Sequence, residues 1–274
     1  NVLVKGGRYL EAVKDADVIV FDKTGTLTNA NPQVQKVTPL NGYSRDEVLR
    51  IAACLEEHFP HSVANAIVNQ AKKEGLVHEE EHAKVEYIVA HGIATTLHGL
   101  HTVIGSDHFI FEDDGVEKTQ ELEDIITSLE KDGAGSLIYL AIDNQVAGII
   151  SIYDPLKQEA KQVIHELKNL GIQKVVMLTG DCNNAAKAVA NELDLDDYRS
   201  SILPEGKASY IQSLKDEGHT VIMVGDGIND TPALSTANVS ISMQDSSDLA
   251  RELADVTLVS SNLNELVTLR KLSV

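Results

Sequence analysis

Tryptophan is absent from this sequence, and aromatic residues fill only 4% of its 274 positions. The core must therefore be aliphatic, and a hydrophobic content of 43% is enough to build one. Cysteine is nearly absent as well. Cys54 and Cys182 are the whole complement, which excludes a disulfide scaffold; no CxxC or Cys/His spacing of a structural zinc site occurs. Both are read as reduced thiols of a cytosolic protein. No apolar run reaches the roughly 18 residues that span a bilayer, and no signal peptide is visible. Positive charge is scarce: 23 Lys and Arg stand against 42 Asp and Glu, a formal net charge of -19. That argues against an extended nucleic-acid interface, which needs a basic surface. The acidity reads instead as solubility and repulsion of anionic surfaces. The chain opens at Asn1-Val2-Leu3-Val4 without an initiator methionine, so we expect an excised portion of a longer protein.

What is present falls into two grammars. Asp15 to Asp22 reads as a buried parallel strand, a short apolar run ending in a polar turn. Residues 44–56 and 62–74 read as helices separated by Pro60. Residues 85–89, 93–97 and 101–104 read as antiparallel strands of a small sheet. Glu117–Lys131 reads as a helix, and Leu137–Ile142 with Gln145–Ile152 as a hairpin around Asp143-Asn144. From Asp154 onward strands and helices alternate. Helices are expected at Lys157–Leu170, Asn184–Leu193 and Lys207–Glu217. Strands are expected at Val175–Leu178, around Ile202, and at Val221–Val224, Val239–Met243 and Val256–Leu258. This alternation implies an α/β, doubly wound parallel sheet. The expected division is a discontinuous domain of residues 1–32 and 149–274, interrupted by an inserted α+β domain of helices and antiparallel sheet at 33–148.

Three loops that follow strands of the parallel sheet carry the chemistry. They are Asp22-Lys23-Thr24-Gly25-Thr26-Leu27-Thr28, Thr179-Gly180-Asp181, and Gly225-Asp226-Gly227-Ile228-Asn229-Asp230. Ligands of such sheets sit beyond the carboxyl ends of the strands, so the three loops can converge. Asp22 is a carboxylate able to attack phosphorus and form an acyl phosphate. A carboxylate attacking a polyanion needs cations. Mg²⁺ can be held by Asp22, the Thr24 carbonyl and Asp226, and Lys207 can neutralise the transferring phosphoryl oxygens. Thr179 offers a hydroxyl, and the Gly25 and Gly180 backbones allow close approach to phosphate. Any one strand-end Asp is ordinarily a cap or turn residue; the seven-residue run followed by two further loops in order is not such a coincidence.

These motifs resemble the catalytic cytoplasmic portion of a P-type ATPase, within the haloacid-dehalogenase-like superfamily, and the resemblance spans essentially the whole chain. It implies that Asp22 is the phosphorylated residue and Lys207 the phosphate-neutralising lysine. It also implies that Thr179-Gly180-Asp181 and Gly225-Asp226-Gly227-Ile228-Asn229-Asp230 complete the phosphate and Mg²⁺ site, with Asp154-Pro155-Leu156-Lys157 as hinge. Within the inserted segment, His61-Ser62-Val63-Ala64-Asn65-Ala66-Ile67 resembles the His-Pro motif of heavy-metal pumps. There the resemblance implies adenine contacts by His61, by a nearby acid (Glu56 or Glu57, of which Glu57 is taken), and by the Ala90-His91-Gly92 backbone. Ser62 departs from the family's Pro, Ala90 from its first Gly, and Asn29-Ala30 from the Gly after the phosphorylation motif. The run His78-Glu79-Glu80-Glu81-His82 carries an i, i+4 histidine pair, but without an evident third ligand it reads as a solvated linker.

The resemblance thus implies an enzyme that binds MgATP across two domains and transfers the γ-phosphate to Asp22. It also implies partners outside this chain: membrane helices, a domain that triggers dephosphorylation, and a transported heavy-metal cation. The chain would then be a cytoplasmic domain of an integral membrane protein. The alternative is a soluble phosphatase of the same superfamily with residues 33–148 as a cap. Those phosphatases carry an acid two positions after the nucleophile, as general acid and then base; here that position is Thr24.

Overall fold

The computed structural model describes residues 2–76, 86–88, 92–225, 230–244 and 248–273 (of 86–88 and 250, the backbone alone). The chain begins with strand β1 (Val2–Val4), helix α1 (Gly7–Asp15) and strand β2 (Val18–Asp22). It then forms β3 (Gln33–Pro39), α2 (Arg45–Glu56), α3 (Ser62–Lys73), β4 (Glu86–Ile88), β5 (Gly92–Leu97) and β6 (Leu100–Gly105). Next come α4 (Gln120–Lys131), β7 (Ser136–Ile142) and β8 (Gln145–Tyr153). The last stretch alternates α5 (Ala160–Asn169), β9 (Lys174–Leu178), α6 (Asn183–Glu192), β10 (Asp197–Arg199), α7 (Pro204–Asp216) and β11 (Val221–Gly225). It ends with α8 (Thr231–Thr236), β12 (Val239–Ser242), α9 (Asp248–Leu253), β13 (Val256–Leu258) and α10 (Asn264–Ser273).

Two compact units result, Asn1–Ala30 with Leu156–Val274, and Asn31–Pro155. The crossing points lie at 30/31 and 155/156, where the sequence suggests 32/33 and 148/149. Strand pairing explains the difference. Gln33 pairs with Tyr153 in the β3–β8 ladder, and the Asn31 N–H donates to Asp154 Oδ1 at 3.0 Å. Both crossing strands therefore belong to the inserted sheet up to their ends.

The first unit is built on a sheet in the order β1-β13-β12-β11-β2-β9-β10, parallel throughout except for the β1–β13 edge. Every residue of β2 is buried. A strand flanked by neighbours and covered on both faces must be apolar at successive positions, which is why Val18-Ile19-Val20-Phe21 does not alternate. The chain leaves β2 toward β9 and β10, then returns on its other side to β11 and β12. The carboxyl end between β2 and β11 is thus the topological switch point, where such sheets bind ligands.

The second unit is an antiparallel sheet in the order β3-β8-β7-β6-β5-β4. One face packs against α2 and α3 through Leu49, Ala52, Leu55 and Ile67. The other packs against α4 and the 108–113 turn through Phe109, Leu122, Ile126 and Tyr139. Both faces being covered, β7 and β8 read as near-continuous apolar runs. The edge strand β3 escapes sequence reading because Gln33-Val34-Gln35-Lys36-Val37 has only two apolar residues and ends in Pro39, which an edge tolerates.

Three expected elements are corrected. Ile202 is in no strand; the short strand is Asp197–Arg199, paired to β9, and the Ile202 N–H donates to the Thr179 carbonyl at 3.1 Å. The helix expected from Lys157 starts at Ala160, because the Lys157 N–H is drawn to the Leu27 carbonyl at 2.8 Å and Leu156 bridges Thr28. The helix expected from Glu117 starts at Gln120, where the Thr119 hydroxyl accepts from the Leu122 N–H. No described helix is long and apolar enough to cross a membrane.

Candidate active site

Strand register aligns the three loops before any side chain is considered. Asp22 pairs with Leu178, so Thr179 follows one step beyond; Phe21 pairs with Val224, so Gly225 stands level with Asp22. All three loops leave the same sheet edge. After Asp22 the chain makes a tight turn in which Gly25 adopts φ 74°, a conformation that costs an L side chain. The turn closes through the Thr28 N–H to the Lys23 carbonyl at 3.2 Å and the Gly25 N–H to Thr28 Oγ1 at 3.0 Å.

Lys207 sits in the first turn of α7, whose opening is fixed by Pro204. Its Nζ donates to Asp22 Oδ1 at 2.5 Å and to Asp230 Oδ1 at 2.8 Å, and all three side chains are buried. Burial works to lower the lysine's pKa, but the two carboxylates outweigh it and hold the ammonium above its ordinary range. A lysine serving two carboxylates in a buried setting is a preorganised cation. It can meet negative charge developing beside Asp22 without reorganising solvent.

Asp181 is directed elsewhere. Its carboxylate pairs with Lys23 Nζ at 2.5 Å, and its N–H donates to Thr179 Oγ1 at 3.1 Å. Asp181 therefore ties the β9 loop to the β2 turn rather than joining the Asp22–Lys207–Asp230 cluster. Thr179 is buried, Thr24 and Gly180 are exposed, and no described heavy atom lies within 4 Å of where a Gly180 side chain would begin. Thr26 is buried with its hydroxyl unpartnered among the described residues. Asp226 and Asn229 lie outside the described residues, as do Ala90, His91 and the His78–His82 run.

In the inserted unit, His61 is the N-cap of α3 and its Nδ1 accepts from the Ala64 N–H at 3.3 Å. The acid beside it is Glu56, not Glu57. Glu56 Oε2 lies 3.3 Å from His61 Nε2, in a geometry short of a hydrogen bond, whereas Glu57 caps the C-terminus of α2 through its N–H to Ala53. Helix period carried this signal: Glu56 follows Leu49 by seven and Ala52 by four, on the buried stripe of α2. Burial pushes the Glu56 carboxyl up to about 7 and lowers the His61 pKa. Gly92 has a packing role that sequence reading missed. A side chain there would overlap the Phe109 ring and stand 2.6 Å from the Ile104 carbonyl oxygen.

Sequence reasoning placed Asp230 and Lys23 in the motif loops but gave neither a role of its own; the partner of Lys23 lies 158 positions away in the chain. A buried or strand-end charge next to a recognised motif is the signal available for both.

The profile of the haloacid dehalogenase-like hydrolases matches residues 16–238. A zinc-exporting P-type ATPase of Mycobacterium marinum is 37% identical over 99% of this chain, which spans 37% of that relative. A copper-transporting ATPase of Rhizobium meliloti is 36% identical over 96% of the chain, here 31% of the relative's length. Among solved structures, a zinc-transporting PIB-type ATPase in an E2.Pi state superposes with TM-score 0.78 at 34% identity, over 99% of this chain and 43% of that one. The catalytic domain of the CPx-ATPase CopB-B superposes with TM-score 0.80 at 28% identity, over 98% and 95%. The chain spans well under half the length of the curated relatives it matches. With a doubly wound sheet, a strand-end Asp22 held by Lys207, and nearly full-length similarity to P-type ATPases, this chain belongs to the haloacid dehalogenase-like hydrolases.

Proposed function

We propose that this chain is the ATP-using catalytic portion of a P-type, heavy-metal-transporting ATPase, in which Asp22 receives the γ-phosphoryl group. The observation that carries the reading is the buried Lys207 ammonium shared by Asp22 and Asp230 at the switch point of the parallel sheet. Asp22 Oδ attacks the γ-phosphorus in line, the bond to the bridging oxygen of ADP breaks, and an aspartyl phosphate forms. Lys207 neutralises charge on the equatorial oxygens and orients the nucleophile. The Gly25 turn lets the backbone approach the phosphate, and the Thr179 hydroxyl hydrogen is available to a phosphoryl oxygen while its oxygen accepts from Asp181. The Lys23–Asp181 pair holds the two loops in register.

The donor set fits a magnesium ion: Asp22 and Asp230 offer hard carboxylate oxygens and the exposed Thr24 a carbonyl, with Asp226 from the same motif. When bound, Mg²⁺ supplies Lewis-acid neutralisation of phosphoryl oxygens. In the inserted unit, His61 and Glu56 are proposed to hold the adenine. Thr24 stands where soluble phosphatases of the superfamily place their acid/base, so the phosphoenzyme is long-lived until a domain outside this chain triggers its hydrolysis. Transport of a heavy-metal cation through membrane helices outside this chain, with this portion in the cytoplasm, belongs to the same proposal. The test is acid-stable incorporation of label from γ-labelled ATP. Labelling in the wild type and none in Asp22→Asn supports the reading. Wild type that turns over phosphate monoesters rapidly without accumulating label overturns it.

A further inference from the structure

On the α4 face of the inserted sheet, opposite α2 and α3, lies a surface cavity of about 230 Å³. Three hydrogen-bonded pieces of chain wall it. The first is the opening of α4, fixed by the Thr119 hydroxyl cap. The second is the β7–β8 hairpin turn, where Asp143 and Asn144 hold positive φ of 51° and 61°, as a tight turn matched to strand twist requires. The third is the turn after β3. There the Leu40 N–H donates to the Ala147 carbonyl at 2.9 Å, and Asn41 Nδ2 donates to the Val146 carbonyl at 2.7 Å. A cavity with walls stitched in this way does not have to be ordered by its ligand.

Its chemistry has two parts. The floor is apolar. Leu122 and Val146 are buried members of the core under α4, and Leu40 and Ile125 pack on that core while keeping part of their surface open. The rim is polar, and its only charged residues are Glu117 and Glu121. Neither carboxylate has a salt bridge or hydrogen bond among the described residues. Lys118, between them in sequence, is engaged elsewhere: its Nζ pairs with Asp107 at 2.7 Å and lies 4.7 Å from the centre of the Phe111 ring. Glu121 has a structural reason to be acidic, because the first turn of a helix favours a carboxylate. Glu117 lies ahead of the cap and has none. The side-chain amides of Asn144 and Gln145 complete the rim, also without partners among the described residues. An anion would be repelled here, and a wholly apolar group would leave the carboxylates unanswered. A side chain with an aliphatic stem and a cationic head satisfies floor and rim together.

We propose that this cavity docks an arginine of a basic partner segment. The stem lies on Leu40 and Ile125, the guanidinium meets Glu117 and Glu121, and the flanking peptide groups meet the Asn144 and Gln145 amides. Arginine suits the cavity better than lysine, because its head is more weakly hydrated and its planar fork serves several acceptors at once. Charge complementarity acts at long range too, since a net charge of -19 draws a basic segment toward the chain. The docking site uses no residue of the phosphoryl or adenine readings and stands independently of both.

The experiment is an NMR titration of the isotopically labelled 274-residue chain with an acetylated, amidated pentapeptide that carries one central arginine between alanines. Amide shifts should saturate and cluster at 40–41, 117–125 and 144–146. Citrulline in place of the arginine keeps the shape without the charge, and should weaken binding about tenfold. Glu117→Gln and Glu121→Gln should each weaken it about two- to fivefold, as exposed ion pairs do. Ile125→Thr should weaken it about twofold or more through the lost floor. Glu123→Gln removes the same charge from α4 outside the cavity, and should leave the affinity unchanged. Equal weakening by Glu123→Gln and the two cavity variants, or shifts spread over the whole surface, would mean attraction by net charge alone and overturn the proposal. So would the absence of saturable binding by the folded chain. Acetyl-arginine amide that binds as tightly as the pentapeptide would assign the cavity to a free organic cation and overturn the docking of a protein segment.

Discussion

Asp22 and Glu56 are both carboxylates buried at the end of a regular element, one in each unit, and they are managed in opposite ways. Asp22 has a lysine ammonium at 2.5 Å, itself anchored by Asp230 at 2.8 Å. Glu56 has the His61 imidazole edge at 3.3 Å and an oxygen with no hydrogen bond among the described residues. The role proposed for Asp22, attack on a polyanion, needs a cation that stays charged, and the carboxylates hold Lys207 in that state. Glu56 has no such cation, and burial lifts its carboxyl to about 7 instead. The first arrangement is over-determined by charge; the second is left adjustable.

The largest effect tests the first half of that contrast. Asp22→Asn should reduce acid-stable phosphoenzyme by about 10³-fold or more, since the amide is no nucleophile, while ADP affinity measured by calorimetry changes little. Next, Lys207→Met leaves Asp22 and Asp230 buried together without their cation. Unfolding in urea should show a loss of about 3–5 kcal/mol, and adding Asp22→Asn to that variant should restore part of it.

Glu56→Gln should act in the opposite direction. The folded-state pKa of Glu56 is raised from 4.5 to about 7. Its contribution to stability is therefore fully present below 4.5 and is lost as pH rises through 7. Above that, removing the charge should stabilise the fold by at most about 3 kcal/mol, and near pH 4 the variant and wild type should unfold at similar urea concentrations. Equal effects at both pH values would mean that Glu56 matters for shape rather than charge. Gly92→Ala should destabilise by about 1–3 kcal/mol through overlap with Phe109, read as a lower thermal midpoint, with nucleotide affinity per folded molecule retained. The smallest change in stability belongs to His61→Ala, which removes the side-chain cap of α3 at a cost of about 1 kcal/mol. Its effect on ADP binding should be larger than that figure alone would give.

Much of the candidate site in the first unit was legible because its residues are local. Asp22 to Thr28 form one turn, and Gly25 advertises its positive φ by being glycine. The inserted unit was harder. Glu56 and Glu57 are adjacent and chemically equivalent, and only the helical phase decides which one is buried. Gly92 resembles part of a nucleotide motif, yet its immediate constraint is an aromatic ring from residue 109. Strand β3 hides behind polar residues because an edge strand need bury little. The helix expected from Lys157 was shortened by a carbonyl at Leu27, a partner that no local pattern can announce.

By itself the sequence determined the α/β class, the buried central strands and the order of the three motif loops, because these follow from runs and periods over a few neighbouring residues. Only the tertiary structure decided which charges meet. Lys207 reaches Asp22 across 185 positions, and Lys23 rather than Lys207 takes Asp181. Ion pairing depends on distances of a few ångströms between side chains on different strands, and sheet register, not chain proximity, sets those distances.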